Sequence, residues 1–468
     1  MITSTQQSLM EVTGALSDCA HRAGFDFGPD TALVAVQHML YQTVDLFKAA
    51  GQIGLKPENI FAAGKVYSNS AQVVSALRDM GVTVIESTLP APGEFDQAFE
   101  WDVKRLWTVV SEKLAQRRIK RIIVLDDGGK CVINIPSELL SNYAVAGVEQ
   151  TSLGMFVFEE HPPPFAVFSW ARSAVKLQIG GHIFSQCLID RLQTEYLRGR
   201  VLKGAEIGII GLGSIGRSLA DIASQQANRV MFYDPAPDLK LPDYLRGRIT
   251  RLDSLEELML RSEYVFGSSG RDPFAGRWPL AHRPGIRLFS GSGGDQEFRP
   301  IIRYLRQRPS FKIAANTWDI TSEHGPSGPM RIAYMGFPYN FVSRLEAAVP
   351  THIVQLETGG LLTGLIQARS YLELHENGHH PGEVSRRIHR ISPDAQAVVY
   401  DVWRAAMKNR GVDIRSLYGY DASLLAATQE KGWLAANTEP RPHSNNGSGD
   451  RVEEMMRSIL CGSYRPVR

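Results

Sequence analysis

Cysteine is scarce in this chain: four residues in 468, Cys19, Cys131, Cys187 and Cys461, with no CxxC pair among them. That scatter excludes a disulfide framework and a cysteine zinc site, and it reads as reduced intracellular thiols. No run approaches the roughly 18 apolar residues that a membrane span needs. The opening, MITSTQQSLMEV, lacks the basic segment and apolar stretch of a signal peptide. An excess of one charge is missing too: 51 basic residues face 49 acidic ones, a net charge of +2, so no electrostatic footprint for nucleic acid is present. The expectation is a cytoplasmic protein with a small-molecule substrate, no nucleic-acid partner and no membrane partner.

Hydrophobic residues at 43% and charged residues at 21% are those of a globular protein. At about 150 residues per domain, the length predicts two or three domains. From Thr31 to Gly129 short apolar runs alternate with amphipathic stretches, the pattern of a parallel sheet wound with helices. Strands are predicted at Ala32–Val36, Lys65–Ser68, Val82–Ile85 and Arg121–Leu125, with helices over Ala71–Met80 and Asp102–Gln116. A second series begins near Lys203, with strands at Glu206–Ile210, Arg229–Tyr233, Tyr264–Phe266, Ile286–Phe289 and Lys312–Ala314. The fold class expected is therefore α/β: two doubly wound parallel-sheet domains, the second a Rossmann NAD-binding domain, joined by hinge helices, one of them at Gln178–Leu192. The boundaries predicted are 1–190 for the first part of a substrate-binding domain, 191–340 for the NAD-binding domain, 341–375 for a return to the first domain and 376–468 for a C-terminal extension. Within that extension 437–450 is polar and rich in Pro, Gly and Ser, the composition of a disordered linker.

The strongest motif is Gly211-Leu212-Gly213-Ser214-Ile215-Gly216, which follows an apolar strand and precedes an apolar helical run. In a dinucleotide turn the first glycine permits the tight bend, the second lets backbone approach the pyrophosphate and the third lets helix and strand pack closely. Asp234 ends the next strand, where a carboxylate binds ribose hydroxyls and repels a 2′-phosphate, so NAD is expected over NADP. Pro235-Ala236-Pro237 supplies no arginine to reverse that choice. Gly267-Ser268-Ser269-Gly270 and Ser290-Gly291-Ser292-Gly293-Gly294 also follow strands, and Ser268 and Ser269 are further candidates for lining the cofactor. His375-Glu376-Asn377-Gly378-His379 matches the HExxH zinc pattern in letters. Gly378 and Pro381 would break the helix such a site requires, and no metal is expected.

The whole arrangement resembles S-adenosylhomocysteine hydrolase from about Thr31 to about Leu365. The resemblance is carried by His38-Met39, Val66-Tyr67-Ser68, Leu125-Asp126-Asp127-Gly128-Gly129, Glu149-Gln150-Thr151-Ser152-Leu153-Gly154, Leu188-Ile189-Asp190, the dinucleotide turn and Gly336-Phe337-Pro338. It implies bound NAD that oxidises a hydroxyl so that a neighbouring carbon can be deprotonated. It also implies a homodimer or homotetramer. Residue by residue, it makes His38 and Asp127 an acid–base pair and sets Thr151 and Ser152 against the nicotinamide half of the cofactor. Gln150 stands where that family has glutamate, with Glu149 beside it. The family's lysine and aspartate fall within Leu177–Gly181, which holds neither, and Lys176 is the nearest substitute. Gly293 and Phe337 stand where two histidines belong. The resemblance therefore implies an NAD-dependent hydrolase-like enzyme with an altered substrate site, performing hydride transfer, oxidation–elimination or epimerisation on a nucleoside or other small hydroxyl compound. Two alternatives stay open. One is a catalytically silent NAD-binding regulatory paralogue. The other is a 2-hydroxyacid dehydrogenase-like oxidoreductase, which shares the glycine turn and Tyr233-Asp234-Pro235 but whose arginine, glutamate and histidine series is not recognisable here.

Overall fold

Apolar, β-branched runs form the centre of two separate sheets. The computed structural model describes residues 10–199, 202–274, 276–342, 349–376, 388–412 and Met456. They fall into two units, one drawn from 1–87, 100–180 and 350–468, the other from 88–99 and 181–349. The HExxH segment beyond Glu376, the polar stretch 437–450 and Cys461 lie outside the described residues.

The first unit is built on β1 (Thr31–Val36), β2 (Ile60–Ala63), β3 (Thr83–Ile85), β4 (Arg121–Asp126), β5 (Ala144–Glu149) and β6 (Ala166–Ser169), with Ile388–Arg390 as an added edge strand. All pairings are parallel and the spatial order is 3-2-1-4-5-6 followed by the edge strand. Parallel sheets are covered on both faces, so their strands read as unbroken apolar runs; all six residues of β1 are buried. The second strand differs from expectation. The strand is Ile60–Ala63, and Lys65–Ser68 contains a single 3-10 turn, Val66–Ser68. The chain turns at Gly64, where a Cβ would lie 2.1 Å from Asn69 Oδ1, so the stretch after it belongs to the loop at the carboxyl end of the sheet. The long helix Thr351–Glu376 packs on β5 and on the helices Glu11–Arg22, Tyr41–Gln52 and Pro393–Asn409.

The second unit carries β7 (Glu206–Ile210), β8 (Arg229–Tyr233), β9 (Thr250–Arg251), β10 (Tyr264–Gly267), β11 (Ile286–Ser290), β12 (Lys312–Ile313), β13 (Ile320–Gly325) and β14 (Gly328–Ile332). Their order is 12-13-14-11-10-7-8-9, antiparallel only at the 12-13 and 13-14 pairs. The predicted helix Gln178–Leu192 is present as Gly181–Arg191 with a π turn at each end, Lys176–Gly180 and Leu192–Tyr196. It packs on the helix Ser214–Ser224 that follows the glycine turn.

In each sheet the winding reverses direction between two neighbours, β1 with β4 in the first and β7 with β10 in the second. The crevice outside the carboxyl ends of such a pair is where open α/β sheets bind ligands. The two units thus present two such points, one made by the loops after Val36 and Asp126, the other by those after Ile210 and Gly267.

The close approach of the long helix to β6 yields a direct test. A Cβ on Gly360 would lie 2.2 Å from Cζ2 of the fully buried Trp170, whose indole N–H is held by Glu357 Oε2 at 2.7 Å. Gly360→Ala is expected to lower stability by about 1–3 kcal/mol through overpacking, despite alanine's better helix propensity. Urea denaturation of variant and parent chain measures the difference.

Candidate functional site

The turn after β7 is shaped by what it must avoid. Gly211 has φ +86°, and a Cβ there would lie 2.7 Å from the backbone of Ser269. A Cβ on Gly216 would lie 2.0 Å from the carbonyl oxygen of Gly211. Gly213, by contrast, is exposed and has no heavy atom within 4 Å of where its Cβ would stand. It occupies the N-cap of helix Ser214–Ser224 without a side chain to cap it. The helix therefore starts without a side-chain cap, the arrangement that suits an anion at its N-terminus.

Asp234 holds this turn from below. Leu212 N–H donates to its Oδ2 at 2.7 Å and Ala236 N–H to its Oδ1 at 2.9 Å. Each carboxylate oxygen keeps a second lone pair for a ribose hydroxyl. No arginine follows Asp234 in sequence, but Arg251 on β9 reaches the same loop. Its guanidinium donates to the carbonyls of Asp234, Ala236 and Pro237 at 2.6–3.2 Å, so its donors brace the loop backbone. Arg277 donates to the Tyr233 hydroxyl at 3.0 Å. Ser268 Oγ donates to the Gly211 carbonyl at 2.8 Å, tying the β10 loop to the turn, while Ser269 Oγ lies 2.9 Å from the Arg271 carbonyl. Ile215 and Ser214 contribute to packing as well: the Ile215 carbonyl accepts from Ser185 Oγ at 3.1 Å, and a Cβ on Gly181 would lie 2.4 Å from Ser214 Oγ.

In the first unit the carboxyl ends of β1, β2, β4 and β5 bring His38, Lys65, Asp127 and Gln150 together. His38 Nε2 lies 3.1 Å from Asp127 Oδ2, and its Nδ1 is hydrogen-bonded to Ser68 Oγ at 2.6 Å. Lys65 Nζ is ion-paired with Asp127 Oδ1, and Gln150 Nε2 donates to Oδ2. Burial alone would raise the Asp127 carboxyl, but the Lys65 ammonium and His38 together hold it well below the usual range. Lys65 is pushed above its ordinary value, because the attraction of Asp127 outweighs burial. His38 is lowered, chiefly by burial, against the opposing attraction of Asp127. Facing an ionised carboxylate, its Nε2 carries the proton and Nδ1 accepts from Ser68. The serine is fully buried and holds the ring in place. Lys65 was not foreseen, although a lysine directly after an apolar strand and glycine, IFAAGK, was a readable signal.

The other sequence candidates divide. Glu149, fully buried, accepts from the amides of Gly128, Gly129 and Thr151 at 3.2, 3.0 and 2.7 Å and from the Thr151 hydroxyl at 2.6 Å. It is a backbone anchor. Thr151 caps helix Ser152–Glu160 by accepting from Gly154 N–H at 3.0 Å, and Ser152 beside it is exposed. Lys176 is ion-paired with Glu357 at 2.9 Å. Phe337 and Trp170 are buried core residues, the former edge-on to Phe95 at 5.6 Å. Among the described residues no group of His, Cys, Asp and Glu is placed to hold a metal, and no helix is long and apolar enough to cross a membrane.

A strand–glycine turn–helix with a close-packed first and third glycine, an open second one and an acidic residue on the next strand defines a dinucleotide-binding unit. Residues 185–269 match the family model for the NAD binding domain of D-isomer specific 2-hydroxyacid dehydrogenases, and the expectation of NAD holds. Two uncharacterized proteins from two strains of Mycobacterium tuberculosis are each 30% identical over 318 residues, covering 66% of this chain and 58% of theirs. The chain thus matches somewhat over half the length of these curated relatives. Similar solved structures include a D-lactate dehydrogenase from Treponema pallidum (12% identity, TM-score 0.30, covering 59% of this chain and 75% of that one). A D-mandelate dehydrogenase from Rhodotorula graminis (16%, 0.28, 56% and 74%) and an NAD+-bound 3-phosphoglycerate dehydrogenase from Entamoeba histolytica (13%, 0.31, 59% and 78%) are others.

These findings correct the resemblance to S-adenosylhomocysteine hydrolase and the hydrolase-like reaction drawn from it. The model that matches the cofactor segment is that of a different family. The physical reason lies in what the shared segments do. Asp126 accepts from Val132 N–H at 2.8 Å, and Glu149 binds the two glycine amides of the LDDGG turn. Both segments answer local demands of loops at the carboxyl end of a doubly wound sheet, so their letters say less about the reaction than about the turn.

Asp126 also yields a pH test. Its Oδ1 is buried without a hydrogen-bond partner, and its carboxyl is pushed up to about 7, chiefly by burial. The folded chain therefore keeps a proton that the unfolded chain releases near pH 4, and stability falls as pH rises from about 4 to about 7. Asp126→Asn is expected to lessen that fall, to which the raised Glu149 and Glu297 carboxyls also contribute, and to gain on the order of 1–3 kcal/mol over the parent chain at neutral pH, while near pH 4 the two are similar. Denaturation midpoints across this range measure it; a constant difference between the two proteins would refute it.

Proposed function

We propose that this chain is an NAD-dependent oxidoreductase of the 2-hydroxyacid dehydrogenase type, exchanging hydride with the carbinol carbon of a small hydroxy acid. The observation that supports this reading most is a coincidence. The segment matching a dehydrogenase NAD-binding domain is the one whose turn is held by Gly211, Gly216 and Asp234 and left open at Gly213. NAD, when bound, supplies the hydride acceptor or donor. The chain's residues then have distinct tasks. The amides at Gly213–Ile215 take the pyrophosphate and Asp234 takes the ribose hydroxyls. In the first unit His38, hydrogen-bonded to Asp127 and Ser68, is the chain's candidate proton-handling group. Glu149 positions the loop that presents Asp127. Size, composition and the absence of a membrane-crossing helix among the described residues suit a small-molecule substrate.

Two measurements test the reading. The full chain with NAD+ and a panel of 2-hydroxy acids, or NADH and 2-oxo acids, should change nicotinamide absorbance; NAD binding without turnover on any of them would favour the silent, regulatory alternative. Asp234→Ala should weaken NAD by about ten- to a hundredfold, the worth of one or two charge-assisted hydrogen bonds. It should also narrow the preference over NADP, since Arg251 and Arg277 stay nearby. Titration calorimetry with both dinucleotides decides this, and an unchanged ratio would remove Asp234 from the site.

A further inference from the structure

Glu297 is fully buried beneath the loops that pack on the glycine turn. It follows Ser290–Gly294 and lies beneath the loop after β10: a Cβ on Gly267 would stand 2.8 Å from its Oε2. Its Oε1 accepts from Gly270 N–H at 2.7 Å and from Ser292 Oγ at 2.5 Å, and Ser269 Oγ lies 3.1 Å from both oxygens. One carboxylate therefore ties the loops after β10 and β11. Ser269, which it holds, is the residue whose backbone packs against Gly211.

Among the described residues the hydrogen bonds to Glu297 come from neutral donors, Gly270 N–H and the Ser269 and Ser292 hydroxyls. Of the charged groups next along the chain, Asp295 and Arg299 are paired with each other at 2.6 Å, and Arg299 is also paired with Asp96 at 2.8 Å. Arg271 presents its backbone: its N–H donates to Ser269 Oγ at 3.2 Å. Asp272 next to it accepts from Phe274 N–H at 2.8 Å. Burial pushes the Glu297 carboxyl up to about 7 against the hydrogen bonds from Ser292, Gly270 and Ser269.

The hydroxyls around Glu297 can serve either protonation state without moving heavy atoms. With Glu297 ionised, Ser269 and Ser292 donate to it. With Glu297 protonated, its own O–H donates to Ser292 Oγ, and Ser269 turns its hydrogen to the Arg271 carbonyl, 2.9 Å away. A serine hydroxyl carries one donor and two acceptor sites, so Ser292 can donate to or accept from the carboxyl and Ser269 has an alternative acceptor.

We propose that Glu297 is a positioning residue of the NAD site and that the site takes up a proton there when NAD binds. The proposal rests on the NAD-binding reading of the glycine turn. The pyrophosphate brings negative charge to a turn that is separated from Glu297 only by Ser269. A unit negative charge arriving within about 10 Å raises a carboxyl by about one pKa unit at an effective dielectric near 20. Burial has already pushed the Glu297 carboxyl up to about 7, so a further rise there pulls in a fraction of a proton. The sign follows: affinity for NAD is full below the pKa of the free site and is lost as pH rises through the interval between the free and bound values.

The test is calorimetry of NAD+ binding to the full chain at about pH 7 in buffers of different ionisation enthalpy, with the parent protein and Glu297→Gln. The parent should take up roughly 0.3–0.5 proton per NAD bound, and its affinity should fall about three- to tenfold from about pH 6 to about pH 8.5. The glutamine keeps an oxygen for the Gly270 amide, so the variant should bind within a few-fold of the parent near pH 6 with neither effect. Binding by the parent without proton uptake overturns the proposal and leaves the NAD reading standing, as does uptake that persists in Glu297→Gln. Failure of the parent to bind NAD at all sinks the NAD reading and this proposal together.

Discussion

The second unit depends on a contact between two backbones with no side chain between them. The turn after Ile210 and the loop after Gly267 meet at Gly211 and Ser269, closer than any Cβ would permit. Because the contact is made by main chain, three other features become necessary. Gly211 adopts a left-handed conformation, Gly216 lies against the Gly211 carbonyl, and Ser268 bonds that carbonyl from the far side. The helix that begins at Ser214 starts from Gly213 without a side-chain cap. Asp234 and Glu297 hold the assembly from two directions, one through the Leu212 amide and the other through Gly270.

The same economy governs the loop at Asp127 in the first unit. Gly128 and Gly129 both have positive φ, and their amides turn inward to Glu149. A Cβ on Gly154 would fall 2.2 Å from the Glu149 carboxyl carbon, so helix Ser152–Glu160 can begin there only with glycine at that place. The loop is thus stiffened by a carboxylate that never faces outward. Its neighbour Asp127, one step along, is left to Lys65, Gln150 and His38. Glu149 is better understood as the support for Asp127 than as a second acid.

Much of this was legible in the sequence and some was not. Five strands of the second unit are readable as short apolar runs, three of them ending in glycine turns, whereas β9, β13 and β14 carry no such signal. Gly211–Gly216 and Asp234 were found because their spacing encodes a local backbone geometry. His38 and Asp127 lie far apart in sequence but both directly follow strands that neighbour the point where the winding reverses, so topology unites them. Lys65 is hidden in the sequence because Lys65–Ser68 reads as a strand, whereas the strand ends at Ala63. Arg251 and Glu297 were invisible for a different reason. Each reaches the site by a long-range approach, Arg251 to the loop after Asp234 and Glu297 to that after Gly267, and neither sits in a motif. The family was misjudged because turn-forming letters such as LDDGG were credited with chemistry when they meet the needs of the backbone.

Asp127 and Glu297 show how little of a buried carboxylate's behaviour follows from burial alone. Each is removed from water, each lies at the carboxyl end of a doubly wound sheet, and each accepts several hydrogen bonds. Their acidities are driven in opposite directions. Asp127 has a lysine ammonium in direct contact and a histidine on the other oxygen, and charge attraction outweighs desolvation. Glu297 has only neutral donors, two serines and an amide, and desolvation prevails. The first is therefore a fixed negative charge that sets a histidine's tautomer, and its state does not change across the physiological range. The second lies where a modest change in local potential alters its charge. A dinucleotide is such a change, and a cofactor site floored by a carboxylate with neutral partners can respond to the arrival of phosphate by neutralising itself, which a site floored by a lysine-paired carboxylate cannot do.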